Sequence, residues 1–489
     1  MKELQINEET LRDGQQSLWA NRMKTESMLP ICTALDQAGF SSINVMSGSA
    51  FEACVLYLHE DPWERLRLLR KFMPKTDLQI LIRGRSAFGW RRFSDDAIEL
   101  LIACLGKCGI QGIVVFDGLN DINNIKWHIQ VSKQLGLQIH PALVFAESPV
   151  HTDAYYAQKA KECVTLETDS VNLADASGLL TPERIRTLIP AIRQAIGDKA
   201  KFGLVSHCGT GLGSECYLEA MRQGIDNLST ASLPLSQGNS IPATVEVLAQ
   251  ARQMGLKIEL DDLLLRKIDD HFLWVAYSEK KPVSQRVPFD RNRYTKYAAH
   301  QIPGGMMSHL ASQLKNLGLE NRLPEVLEEA GRVRQEIGYP VMVTPFSQIV
   351  GVQAVFNVIQ KERYRTIPSD LNLYARGFYG QKAAPIDVNV LDRILEGADA
   401  KPIDASEVFS EPIVKNARMA LGAACSDEEL LLTLFFSKPT LEKFHQNCKP
   451  VNMAATRTPV IALIGELLKR QDIRQVSVQK GPLRLRQVF

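Results

Sequence analysis

The sequence lacks the features that would assign it to a membrane or to nucleic acid. Its 489 residues contain no apolar run long enough to span a bilayer. The formal net charge of +2 gives no reason to expect nucleic acid or an anionic membrane as the main partner. We also expect no secretory signal, because Leu4-Gln5-Ile6 already has the pattern of a strand start. We therefore expect a cytoplasmic protein.

The chain has little that indicates a disulfide framework, a zinc site or a nucleotide loop. Its nine cysteines are scattered, and Cys104 and Cys108 have no second pair at zinc spacing, so we expect buried reduced thiols. No glycine-rich phosphate loop comes after the first predicted strand, where residues 8–13 stand instead. This absence argues against an open doubly wound sheet.

What the sequence does have is a repeated alternation of short apolar runs and amphipathic helices up to about residue 290. Eight strand-helix units favour a closed (β/α)8 TIM barrel, an α/β fold, followed by a mainly helical C-terminal domain. We predict a barrel over residues 1–300, a helical domain over 301–446 and a basic extension over 447–489. A solvated tail or edge hairpin is the favoured interpretation of the extension, and a site for an acidic partner is the alternative. The predicted strands are Glu3–Asn7, Ser42–Met46, Asp77–Ile82, Gly112–Phe116, Gln138–Val144, Ser170–Leu173, Lys201–Ser206 and Asn227–Ala231.

Polar residues follow several of these strands, where barrel enzymes carry their active sites. Asp13 could bind a metal, or it could cap a helix. Arg12 and Gln16 beside it could hold the carboxylate of a substrate. Arg83 could clamp an anion or form a salt bridge. The stretch 117–121 could be polar mouth residues or only a turn. His207 could be structural or a ligand, and Gly209-Thr210-Gly211 after it could bind an anion.

Several ordered motifs resemble those of one family, the carboxyltransferase domains of biotin-dependent enzymes. This family includes pyruvate carboxylase, the α subunit of oxaloacetate decarboxylase and the large subunit of transcarboxylase. The resemblance covers roughly residues 1–445. The matching segments are Thr10-Leu11-Arg12-Asp13-Gly14-Gln15-Gln16-Ser17-Leu18, Glu60-Asp61-Pro62-Trp63-Glu64-Arg65-Leu66-Arg67, Leu81-Ile82-Arg83-Gly84, Phe116-Asp117-Gly118-Leu119-Asn120-Asp121, Asp175-Ala176-Ser177-Gly178-Leu179-Leu180, Pro303-Gly304-Gly305-Met306, Val343-Thr344-Pro345-Phe346-Ser347, Tyr379-Gly380-Gln381 and Pro385-Ile386-Asp387.

The resemblance implies a divalent-metal site that this chain keeps only in part. The family's aspartate and second histidine correspond to Asp13 and His207. Ala174 stands at the position of the carbamylated lysine, and Val205 at that of the first histidine. Neither side chain offers a lone pair, so an intact copy of the family site is excluded by residue type. A rebuilt site could use Asn172, Glu8 or Cys208.

The resemblance also implies the residues of the transfer step. Arg12, Gln16 and Arg83 match positions that contact the oxo acid or biotin. Asn239 stands where the family has the threonine that relays a proton, and a carboxamide cannot supply a hydroxyl proton. The neighbouring Ser240 could substitute, but we expect its side chain to point elsewhere.

The family's cofactors and partners are equally implied by the resemblance. No biotin-attachment Met-Lys-Met occurs near the C-terminus, so any biotin would arrive on a separate carrier protein. A homodimer is expected by analogy with the family, and a small carboxylate is the expected ligand.

Three functions compete. The favoured one is an enzyme acting on a 2-oxo acid or related carboxylate by decarboxylation, carboxyl transfer or C–C cleavage. In that hypothesis Arg83 and Arg12 bind the carboxylate, Gln16 donates to an enolate oxygen, and His207 serves as acid or base. The alternatives are a non-catalytic scaffold subunit and a biotin-dependent carboxyltransferase with a rebuilt metal site.

Overall fold

The fold is taken from a computed structural model of the chain. The structure describes residues 3–88, 91–303, 318–360, 362–396, 401–422, 424–451, 474–480 and 483–488, with single positions at 307, 310, 311, 314, 315 and 467. Gly304, Gly305 and Met306 of the predicted glycine motif, and Arg470 of the basic extension, lie outside these residues.

Eight parallel strands close into one barrel in the order of the sequence, and the eighth pairs with the first. All eight predicted strands are confirmed, with boundaries that shift by up to two residues. The sixth strand is longer than predicted and includes Ala174 and Asp175. The strands are β1 Gln5–Glu8, β2 Ser42–Ser47, β3 Leu78–Ile82, β4 Gly112–Val115, β5 Gln138–Val144, β6 Ser170–Asp175, β7 Lys201–Ser206 and β8 Asn227–Thr230.

Helices lie between the strands and pack on the barrel because each presents an apolar stripe. Pro182–Ile196 illustrates the rule: Thr181 caps it through Arg184 N, and its buried positions recur every three or four residues. Gly109 and Gly224 follow helices and have positive φ, which is typical of the residue that ends a helix. The barrel helices are Gln15–Trp19, Thr25–Met28, Cys32–Gln37, Gly48–Ala53, Pro62–Phe72, Asp95–Lys107, Lys126–Gln134, Asp153–Thr165, Pro182–Ile196, Gly213–Arg222, Thr244–Gln253 and Asp262–Ser278.

The motif that best matches the family, residues 60–67, serves the fold. Asp61 caps the helix Pro62–Phe72 by accepting from Trp63 N at 2.9 Å. Arg65 is 1% exposed and donates to Glu60 Oε2 at 2.6 Å and to Thr25 Oγ1 at 2.8 Å. A buried, fully paired arginine of this kind ties the helix to the segment before it.

Beyond the barrel the described chain is mostly helical, and its core divides into separate apolar clusters. One cluster joins residues 302–394 with Leu119 of the barrel. Leu431 and Phe444 instead belong to the cluster of the barrel, so the last helices pack on the barrel. The predicted domain boundaries stay a prediction. These helices are Arg291–His300, Leu323–Glu336, Phe346–Gln360, Ser369–Ala375, Val388–Leu395, Ala405–Ser410, Val414–Leu421, Asp427–Phe435 and Lys438–Asn447.

The C-terminal extension contains an antiparallel hairpin, which agrees with the hairpin interpretation of that segment. Its strands are β9 Gln475–Lys480 and β10 Leu483–Val488, and Arg484 and Arg486 are exposed. All the described cysteines are free thiols, and most are buried. Among the described residues no helix is long and apolar enough to cross a membrane.

Candidate active site at the barrel mouth

A cavity of about 730 Å³ opens at the carboxyl ends of the barrel strands. Both the barrel and the helical part of the chain contribute to this cavity, because Thr344 and Ser347 of the helical part line it together with the strand ends. Eight of the positions that the sequence analysis singles out lie on its wall: Arg12, Asp13, Gln16, Arg83, Ala174, Val205, His207 and Asn239.

Four charged side chains form a connected cluster on one side of this cavity. Arg12 Nε and Nη2 both lie 2.7 Å from Glu9 Oε2. Arg12 Nη1 donates to Asp13 Oδ1 at 2.8 Å, and His207 Nε2 lies 3.1 Å from the same oxygen. Glu9 was not among the predicted site residues, although its place three residues before Arg12 suits an ion pair. The Arg12 guanidinium is thus shared by two carboxylates of the protein.

Burial and the mutual charges within this cluster shift the pKa values of its members. Burial opposes the negative charge of Asp13. The positive charges of His207 and Arg12 outweigh this effect and hold the pKa of the Asp13 carboxyl below its ordinary value. Burial likewise opposes the charge of His207, and the Asp13 carboxylate outweighs it, so the pKa of the imidazole is raised. Burial raises the pKa of Glu9. The Asp13–His207 contact therefore favours a carboxylate–imidazolium pair.

Asp13 does not cap a helix, so that alternative is wrong. The helix Gln15–Trp19 has Gly14 at its N-cap and no side-chain bond there. Residues Thr10–Gly14 form a π-helical turn that directs Asp13 into the cavity instead. The sequence pattern of these residues does not predict this turn, because it is equally compatible with the start of an ordinary helix.

Gln16 is oriented by two serines, one at the end of β2 and one in the helix Gly48–Ala53. Ser47 Oγ donates to Gln16 Oε1 at 2.7 Å, and Ser49 Oγ lies 3.2 Å from the same oxygen. Because its carbonyl end is held in this way, the amide NH2 of Gln16 is the end that can donate to a ligand.

Ser240 is not among the residues that line the cavity, yet its hydroxyl contacts the charged cluster. Ser240 is fully buried, and its Oγ lies 3.4 Å from Asp13 Oδ2. Asn239, at the position of the family's relay threonine, is exposed at the cavity rim. The hydroxyl nearest the charged cluster from this loop is therefore that of Ser240.

Two arginines other than Arg12 face the cavity. Burial lowers the pKa of Arg83, an effect that the charge of Glu52 partly offsets. Arg293 extends from the helix Arg291–His300 with Tyr294 and Tyr297 beside it. Arg293 was not predicted from the sequence, because its helix reaches the mouth by packing Tyr294 and Tyr297 on the barrel, a contact between residues distant in sequence.

Other residues that the sequence singled out support the loops around the mouth. Asp117 accepts from Leu119 N at 2.8 Å and Asp121 N at 3.1 Å, so the stretch 117–121 is a turn. Asp121 also accepts from Gln381 N at 2.8 Å, which joins this turn to the helical part. Gly211 has φ +92°, and a Cβ there would lie 2.5 Å from Val287 O, so its lack of a side chain serves a close backbone approach.

The positions of the family's other two metal ligands lie side by side. Ala174 of β6 pairs with Val205 of β7, and both side chains face the cavity. Of the residues proposed to rebuild a site, Asn172 lines the cavity. Glu8 is turned to the backbone of its own loop, where its Oε1 accepts from Thr10 N at 2.9 Å. Within the described part of the chain, no three His, Cys, Asp or Glu side chains are grouped so that they could hold a metal ion.

Two family models match the chain. The model described as "HMGL-like" matches residues 3–271, and the model described as "Conserved carboxylase domain" matches residues 298–481. Together they cover the barrel and most of the remaining chain.

Known relatives match over most of the chain. A pyruvate carboxylase subunit of Methanocaldococcus jannaschii is 40% identical over 78% of this chain and 67% of its own length. The 2-oxoglutarate carboxylase large subunit of Hydrogenobacter thermophilus is 36% identical over 79% and 58%. The methylmalonyl-CoA carboxyltransferase 5S subunit of Propionibacterium freudenreichii subsp. shermanii is 36% identical over 78% and 75%. The chain thus spans about two thirds of the length of these relatives.

Solved structures confirm the fold. The carboxyl transferase domain of Rhizobium etli pyruvate carboxylase with oxamate and biotin matches with a TM-score of 0.84 and 25% identity. That match covers 93% of this chain and 80% of the other. The same domain with 3-bromopyruvate matches with a TM-score of 0.83 over 92% and 78%. The ordered motifs, the closed barrel and these relatives lead to one conclusion: the chain belongs to the carboxyltransferase family of biotin-dependent enzymes.

Proposed function

We propose that the protein is a divergent carboxyltransferase-family enzyme that acts on a 2-oxo acid or a related carboxylate. It removes or transfers a carboxyl group, or cleaves a C–C bond beside a carbonyl, without the family's carbamyl-lysine metal site. The observation that carries this proposal is the shared cavity, where cationic, amide and imidazole groups meet around Asp13. Relatives named as carboxylases and a carboxyltransferase support the reaction class.

The donor set argues against a metal bound as in the family. The methyl group of Ala174 and the isopropyl group of Val205 cannot coordinate an ion. Asp13 Oδ1 already accepts from Arg12 and lies in contact with His207. We infer that the buried side chains of Arg12 and His207 supply positive charge beside Asp13, at the place where the metal of the family would otherwise lie.

The roles of the residues follow from where each charge lies. Arg83 and Arg293 line the cavity and carry the positive charge that a substrate carboxylate needs. Arg12 lies between Glu9 and Asp13, so its charge is shared with these two carboxylates. The Gln16 NH2 donates to the carbonyl oxygen as negative charge develops there.

His207 supplies the proton that the reaction needs. When the carboxyl group on C3, the carbon next to the 2-oxo carbonyl, leaves as carbon dioxide, the electron pair of the broken C–C bond moves onto the carbonyl oxygen and forms an enolate. The His207 imidazolium, favoured by Asp13, then protonates the enolate carbon.

The test replaces the proposed carboxylate anchor. Arg83→Ala should abolish turnover of oxaloacetate and other 2-oxo acids by the purified protein, while its melting temperature stays near that of the parent. Arg291→Ala is the matched control, because Arg291 lies on the helix of Arg293 but does not line the cavity. Full activity in Arg83→Ala would contradict the assignment.

Ligand-induced stabilisation decides between an enzyme and a scaffold. A scaffold subunit should gain no thermal stability from pyruvate, oxaloacetate or malonate, whereas an enzyme that binds one of them should melt at a higher temperature. If biotin is used at all, we propose that a separate carrier brings it. Carboxyl exchange with free biotin, lost in the presence of a chelator, would instead favour a rebuilt metal site.

We further propose a homodimer, supported by one helix of the barrel. Asp262–Ser278 exposes Leu263 (74%) and Tyr277 (79%) on one face, with Lys267 and Asp270 between them. These positions fall on one stripe at about 100° per residue. In an antiparallel pairing of this helix with its copy, each Lys267 would meet an Asp270. Analytical ultracentrifugation should give a dimer that Lys267→Glu weakens, and a monomer would contradict the proposal.

A further inference from the structure

Part of the cavity lining is apolar, in contrast to the charged cluster around Asp13. We call Val114, Val144, Ala174 and Val205 the apolar wall. Val144 of β5 pairs with Ala174 of β6, which pairs with Val205 of β7, so three neighbouring strands present these side chains at one level. Val114 of β4 continues the wall, and all four residues line the cavity.

The wall extends into the helical part of the chain. Phe116 and Val343 pack against the small cluster that contains Val144, and both also line the cavity. A ligand at the mouth would therefore meet apolar surface from the strands below it and from the helical part beside it.

Two alanines that line the cavity, Ala142 and Ala174, are smaller than the side chains that usually fill a barrel. Bulky branched side chains normally close the interior of such a barrel. Here Ala142 and Ala174 contribute only methyl groups, and the space beside them belongs to the open cavity. Apolar surface that faces a cavity with a few convergent polar groups is typical of a site for a partly apolar ligand.

We propose that the 2-oxo acid bound at this site, as carboxyl acceptor or as product of decarboxylation at C3, has an alkyl chain of several carbons, a proposal that rests on the function proposed above. Its C1 carboxylate would lie toward Arg83 and Arg293, its carbonyl near Gln16, and its alkyl chain on the apolar wall. Pyruvate, with one methyl group, would leave most of the wall uncovered. A second carboxylate at the far end of the chain, as in 2-oxoglutarate, would lie against the wall, where burial of a charge without a partner is unfavourable.

The experiment compares ligands that differ only in this chain. Titration calorimetry of the full-length protein would use pyruvate, 2-oxobutyrate, 4-methyl-2-oxopentanoate and 2-oxoglutarate. The affinity should rise along the first three by about tenfold or more per added methylene, as hydrophobic pockets commonly allow. The affinity for 2-oxoglutarate should be lower than that for 4-methyl-2-oxopentanoate.

Two variants test the wall directly. Val205→Thr replaces a methyl group by a hydroxyl and should reduce the preference for 4-methyl-2-oxopentanoate over pyruvate. Ala174→Leu should fill the space and weaken the long-chain ligand more than pyruvate. Val283→Thr is the control, since Val283 is 42% exposed and does not line the cavity. Melting without ligand checks that each variant folds.

The outcomes separate this inference from the proposed function. Equal affinity for pyruvate and 4-methyl-2-oxopentanoate, or tightest binding of 2-oxoglutarate, overturns the inference and leaves the proposed function standing. Unchanged preference in both Val205→Thr and Ala174→Leu also overturns it. If no 2-oxo acid binds, the proposed function fails and takes the inference with it.

Discussion

The buried carboxyl group of Glu8 should make the stability of the protein fall as the pH rises. Glu8 is 1% exposed, and among the described residues its Oε2 has no hydrogen-bond partner. Burial raises the pKa of this group from the ordinary 4.5 to about 8, against the opposing hydrogen bond from Thr10. The folded protein therefore keeps a proton there that the unfolded chain has already released.

The sign and the size of the effect depend on that difference. The contribution to stability is fully present below pH 4.5 and is lost as the pH rises through about 8. One pKa unit corresponds to about 1.4 kcal/mol, so the whole loss amounts to at most about 5 kcal/mol. Glu8→Gln keeps the shape and has no proton to lose. The variant should therefore be about as stable as the parent near pH 5 and more stable near pH 9.

The assay is the melting temperature of both proteins across this pH range. Glu99→Gln is the matched control, because Glu99 is exposed on the helix Asp95–Lys107 and should leave the pH profile unchanged. If the melting curves of Glu8→Gln and the parent run parallel with pH, or if the parent gains on the variant at high pH, the reasoning is refuted.

Other predictions concern the fold and the site. Arg65→Ala should lower the free energy of unfolding by about 3 kcal/mol because it empties a buried position and leaves the half-buried Glu60 carboxylate without its charged partner. Arg67→Ala, at a side chain 41% exposed, should change it far less, and equal losses would contradict this account. Ser240→Ala should reduce turnover more than Asn239→Ala, since only Ser240 contacts Asp13; the reverse order in a steady-state assay would argue for Asn239.

The architecture could be predicted from the sequence because it depends on repetition. Each barrel strand is a short apolar run between a turn and an amphipathic helix, and eight such units leave little choice of fold. The closest family motif, around Arg65, indicated the family correctly but proved to serve packing, because a buried ion pair and a capped helix constrain sequence as strongly as chemistry does.

The orientation of individual side chains could not be predicted in the same way. Asp13 and Ser240 both lie on turns, where the pattern of apolar residues says nothing about direction. Arg293 reaches the mouth only through packing between distant parts of the chain. Glu9 is near Arg12 in sequence, yet its strand-end position is what places its carboxylate in the cavity.

The central claim is that the charged cluster, rather than the family's metal site, occupies the barrel mouth. Elemental analysis of the purified protein for Zn, Mn, Co and Mg tests it most directly. We expect less than stoichiometric metal, with no difference between the parent and Asp13→Ala. One ion per chain that is lost in Asp13→Ala would contradict the claim and would identify a rebuilt metal site around Asp13 and His207.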